Sequence, residues 1–111
     1  MHFLSPERRN SLVEYLSGYL GVPRKLAEDC ASYTLQDLDR HLSPIARLLI
    51  SEASKEEPFT PERQIMFEAN RGIIQAYREE LRERGMELED LPKTAAILDS
   101  FDADSKGRAV N

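Results

Sequence analysis

The sequence predicts an all-α fold, a small helical bundle of five or six helices with one long helix that is either central or at an interface. Three observations carry this. Apolar residues recur three and four positions apart through most of the chain, which is the period of a helix face. No run of five or more residues alternates apolar and polar, as a half-buried strand would. Hydroxyl-proline pairs at Ser5-Pro6, Ser43-Pro44 and Thr60-Pro61 read as helix starts. There the side-chain oxygen sits at the N-cap, and proline follows where a missing N–H costs nothing.

The first helix is expected over Pro6 to Leu20, with Leu12, Tyr15, Leu16 and Tyr19 on one face and Gly21 as its stop. Pro23 opens a short helix to Ala31, with Leu26, Ala27, Cys30 and Ala31 inward. Thr34 caps a third, Leu35 to Leu42, which buries Leu35, Leu38 and Leu42. A separate helix from Pro44 to about Glu56 carries Ile45, Ala46, Leu48, Leu49, Ile50 and Ala53. Those six cover roughly 200° of its circumference, well beyond the stripe a surface helix needs.

The long helix runs from Pro61 to about Arg84, ended by Gly85. Ile65, Ala69, Ile73 and Ala76 form one row on it, and Phe67, Asn70, Ile74, Tyr77 and Leu81 another. Gly72 lies between the rows, and close packing by another helix is the expected reason for a glycine there. After an acidic connection, a last helix over Pro92 to Phe101 buries Ala95 and Leu98.

Composition sets the outer bounds. The chain has 111 residues, 41% hydrophobic, with a formal charge of -5 and a mean hydropathy of -0.53. That is enough for one domain and too little for two. Residues 1–101 are expected to form it, with 102–111 a polar, disordered tail. No stretch approaches the roughly 18 apolar residues of a membrane span, so no membrane role is expected. Met1 to Pro6 lacks the basic and apolar regions of a signal peptide. A single cysteine, Cys30, excludes an internal disulfide and a thiolate metal cluster, so the cytoplasm is the default compartment.

Candidate chemistry is sparse. His2 and His41 have no histidine partner at metal-ligand spacing. Cys30 stands beside Glu28 and Asp29 on an apolar face and reads as a small core residue. Asp37, Asp39, Glu79, Glu80 and Glu83 read as solvated carboxylates, while Glu52 flanks a wide apolar arc. Asp102, Asp104 and Gly107 are spaced like the opening of an EF-hand loop. However, Lys106 takes a ligand position and the closing Glu is missing. No catalytic residue, cofactor site or metal site is therefore expected.

Two functional classes stay in play, with a small enzyme using an unrecognised carboxylate site third. The first is a non-catalytic protein-interaction or regulatory module, self-associating as a homodimer or binding another protein. Its candidate interface is Phe67, Ile74, Tyr77 and Leu81 on the long helix, rimmed by Arg71 and Arg78. The second is a helix-turn-helix DNA binder over residues 23–42, broken at Ser32-Tyr33. Nucleic acid ranks lower, because the total charge is acidic and the would-be reading helix carries Asp37 and Asp39.

Overall fold

A computed structural model describes residues 2–53 and 60–100. The expected end of the helix near Glu56, Phe101, and the tail with its calcium-like fragment lie outside the described residues. The fold is all-helical, and the described residues contain no strand. In chain order it comprises α1 (Pro6–Glu14), α2 (Arg24–Cys30), α3 (Leu38–Ala53), α4 (Pro61–Glu83) and a final helix, α5, over residues 92–100.

The proline starts of α1 and α4 form as their sequences dictate. Ser5 Oγ accepts from the Arg8 N–H, and Thr60 Oγ1 from the Arg63 N–H. α1 does not end at Glu14. It continues as a π-helical turn, Tyr15–Tyr19, in which the Leu20 N–H reaches back five residues to the Tyr15 carbonyl. Gly21 then adopts a φ of 76°, and the Val22 N–H turns back to the Leu16 carbonyl. α4 ends on Gly85, also at φ 76°. The Met86 N–H returns to the Leu81 carbonyl and the Gly85 N–H to Arg82, a Schellman closure.

The π turn presents the Tyr15 ring to α4. A Cβ added at Gly72 would lie 2.9 Å from Tyr15 Cε2, so the close packing expected at this glycine is with an aromatic side chain of the π turn.

Proline 44 does not start a helix. The two helices expected over Leu35 to Leu42 and from Pro44 onward are one, α3, with Pro44 inside it. Thr34 instead begins a turn over residues 35–37, where its hydroxyl accepts from the Asp37 N–H. An interior proline costs about 3 kcal/mol. Leu38 and Leu42 before it belong to the core cluster, and after it Ile45 packs against that cluster while Ala46 is buried. Burial of apolar side chains at about 1.5–3 kcal/mol each offsets the break.

The core is one cluster, with Leu16, Leu38, Leu42, Tyr77 and Leu81 among its most enclosed members. Phe3 and Leu4 belong to it, so the segment next to His2 is packed. The Phe3 N–H donates to the Tyr33 carbonyl at 2.9 Å, and its ring stacks on Tyr77. Three residues expected on apolar, inward faces are outside: Tyr19 is 80% exposed, Leu26 53% and Leu35 49%.

α3 and α4 form an antiparallel hairpin. Its fully buried residues all lie at one end, Leu38 to Ala46 on α3 and Ile73 to Leu81 on α4. The other end projects past the core. There Leu48 and Ile65, expected on broad apolar faces, are exposed, as is Met66.

Candidate functional site

Carboxylates organise the helix ends. Glu80, expected in solvent, is buried at 5% exposure. Its Oε1 accepts from the Ser5 N–H at 2.8 Å and from Arg8 Nη1 at 3.1 Å, while Arg84 Nε stands 3.5 Å from Oε2. Arg8 also forks onto Glu83, at 3.0 and 2.7 Å. Arg84 crosses the Phe3 ring, 4.2 Å from its centroid, and donates to the Phe3 carbonyl. Burial pushes the Glu80 carboxyl up, but the Ser5 N–H and the two guanidiniums outweigh it and hold it below the usual carboxylate range. A local capping box would have placed an acid at residue 8. That position holds Arg8, and Glu80 supplies the acceptor from α4.

Asp39 does the same for α5. Its carboxylate accepts from the Lys93 and Thr94 N–H groups, both at 2.8 Å, and from the Thr94 hydroxyl at 2.9 Å. Leu91 has no cap to offer, so α3 supplies it. Burial again works against the charge, and the two amides and the hydroxyl lower the Asp39 pKa regardless.

An aromatic cluster fills the centre. Tyr33 stacks on Tyr77 at 5.4 Å and on His41 at 4.2 Å. The Tyr77 hydroxyl donates to the Cys30 carbonyl at 2.7 Å and accepts from the Tyr33 N–H at 3.2 Å. Burial pushes both tyrosine hydroxyls and the Cys30 thiol up, so all three are protonated at neutral pH. His41 is held by ring stacking, and Cys30 is half-buried on α2.

These contacts correct the expected interface. Tyr77 and Leu81 are each 0% exposed within the single chain, so neither can anchor a partner. Ile74 is half-buried against the core, and Phe67 is half-buried toward the projecting end of the hairpin. Arg71 and Arg78 are exposed, with Arg71 3.9 Å from Glu68. The helix-turn-helix geometry is also not formed over residues 23–42. Residues 31–37 separate α2 from α3, more than the roughly three- or four-residue turn of that motif. Glu52, the carboxylate singled out beside an apolar arc, pairs with Arg63 at 2.8 Å.

Among the described residues, no group of three or more His, Cys, Asp or Glu side chains could hold a metal, and every buried side-chain polar atom is partnered. A groove of about 570 Å³ lies between α1 and α4, beside Tyr15, Gly72 and Gln75. Arg8 and Glu83 in its lining pair with each other at 2.7 Å.

The surface that stands apart is apolar and spans three helices. Leu48 is shared by two hollows. One, toward α4, is lined by Leu49, Met66 and Phe67. The other, toward α5, is lined by Pro44 and Ile97 and has a volume of about 590 Å³. A third hollow of about 530 Å³ continues it through Ile50, Ala96 and Ile97. Leu48 is 47% exposed and Met66 61%. The sequence carried a signal for this surface in the excess apolar arc of the 44–56 segment. Which part of that arc stays uncovered is decided by where α4 and α5 pack.

Comparison with known proteins finds no matching family model, no similar curated protein and no similar solved structure. No helix among the described residues is long and apolar enough to cross a membrane.

Proposed function

We propose that the protein is a non-catalytic helical module that binds another protein through the band running from Met66 on α4, across Leu48 on α3, to Ile97 on α5. The observation that carries this is the continuity of that band. Isolated exposed leucines are ordinary, but contiguous apolar hollows rimmed by polar side chains mark interaction sites. The band lies where the hairpin outruns its own core. Leu48 and Met66 are exposed there, and a partner would bury them. The single partly buried thiol of Cys30 suits a reducing compartment, the cytoplasm.

A display selection of helical peptides tests it, with the Leu48→Asp/Met66→Asp double variant as the counter-target. Both positions are exposed, so the variant keeps its core. Recovered peptides are expected to lose about tenfold or more in affinity for the variant, since a buried apolar anchor contributes above about 1 kcal/mol. Peptides that bind both proteins alike would place the interaction elsewhere. Light scattering of the unliganded protein shows at the same time whether a second copy occupies the band.

A further inference from the structure

Resting on that reading of the band, we infer that its occupant is an amphipathic helix whose apolar stripe is edged with carboxylates. The two hollows on the α5 side share Ser43, Arg47 and Ile97, so they form one trough along α3. Successive hollows in a trough suit a helix that inserts side chains at i, i+3 or i+4, and i+7.

Charge selects among such helices. The protein as a whole is acidic, at -5. The charged residues lining the trough are nevertheless Arg47 and Lys93, both cations and both exposed. Neither side chain makes an ion pair among the described residues. For Arg47 the sequence shows why. Its neighbours three and four residues away on α3 are Ser43, Pro44, Ile50 and Ser51, so no carboxylate is within reach along the helix. Lys93 gives its backbone N–H to Asp39, whose carboxylate also feels the Lys93 charge, and the residue lines the trough without a direct ion pair among the described residues. At the α4 end, Glu52 and Arg63 neutralise each other. A partner helix with acidic edges would supply the counter-charge that Arg47 lacks and a direct partner for Lys93. A basic-edged helix would bring like charges together. A second copy docked by the same patch across a two-fold axis would oppose Arg47 and Lys93 to their own equivalents.

The test uses the full chain and two labelled amphipathic peptides with one Leu/Phe stripe, edged with Glu in one and Lys in the other. Fluorescence anisotropy is read at about 50 and about 300 mM salt, either side of physiological screening. The Glu-edged peptide is expected to bind about tenfold more tightly than the Lys-edged one, as two rim ion pairs would provide, and to weaken with salt. Arg47→Glu/Lys93→Glu should invert the preference, with Arg47→Ser/Lys93→Ser as the milder second pair should the reversal unfold the chain. Equal binding of the two peptides, an unchanged preference in both charge variants, or no binding of the Glu-edged peptide would overturn the inference. Equal binding that is lost in Leu48→Asp/Met66→Asp removes the charge argument and leaves the band as a docking surface. Binding that survives in that variant removes the band itself. A dimer in light scattering that Leu48→Asp splits and Arg47→Glu leaves intact would assign the band to a second copy and overturn the inference.

Discussion

Replacing Tyr77 with Phe separates a core role from an interface role at the centre of α4. The substitution keeps the ring, its stacking on Tyr33 and Phe3, and nearly all its volume. It deletes one oxygen. That oxygen joins α4 to two backbone groups 47 and 44 residues away in sequence, the Cys30 carbonyl at 2.7 Å and the Tyr33 N–H at 3.2 Å. The Cys30 carbonyl is at the last residue of α2, where no intrahelical partner exists. Losing both bonds strands an acceptor and a donor against a residue of 0% exposure. Each unsatisfied group costs about 1–3 kcal/mol, and partial access of water to half-buried Cys30 and Tyr33 favours the lower end. A total of about 2 kcal/mol is expected, which lowers the Tm of a domain of this size by about 8–16 °C. Circular dichroism melts at two protein concentrations measure it. The shift should be the same at both, because the loss is intramolecular. A Tm within about 2 °C of the wild type, or a shift that grows on dilution, would refute the assignment of Tyr77 to the core.

Other outcomes follow from the ionic contacts. Glu80→Ala leaves Arg8 and the Ser5 N–H without their acceptor and should destabilise by about 3 kcal/mol in urea titration, with a loss under about 0.5 kcal/mol counting against a buried pair. Asp39→Ala removes the cap that α3 lends to α5 and should cost about 1–2 kcal/mol, with hydrogen exchange accelerated in residues 92–100 before the rest of the fold; uniform acceleration would show that α5 is not separately tethered. Glu80 and Asp39 both have lowered folded pKa values, so their stabilisation is complete above the unfolded carboxylate range near pH 4 and is lost as pH falls through the folded values. Tyr33 and Tyr77 have raised values, so their contribution is complete below about pH 10 and is lost at higher pH. A stability profile flat from pH 2 to 12 would contradict both.

The long helix, its cap at Thr60 and its stop at Gly85 were legible in the sequence, because each rests on residues within one or two turns. Gly72 was legible only as a place for close packing, and the tertiary structure supplied Tyr15 to fill it. The candidate surface was legible only as an excess. The 44–56 segment has more apolar arc than one neighbour can cover. Which residues remain outside depends on how α4 and α5 share it, and the exposed set is Leu48, Ile65 and Met66 rather than Tyr77 and Leu81.

Local capping, helical period and glycine stops are short-range interactions, so the amino-acid sequence by itself determined that this chain is helical and where most helices begin and end. Three matters were decided only in the tertiary structure. Pro44 is carried through α3 because the core gains Leu38 and Leu42 before it and Ile45 after it, which outweighs a local break. Glu80 and Asp39 are cap acceptors because folding brings them to helix starts 75 and 54 residues away, at Ser5 and Lys93. Tyr77 is core and Leu48 surface because burial is a property of what packs against a face, and helical period alone records only that the face is apolar.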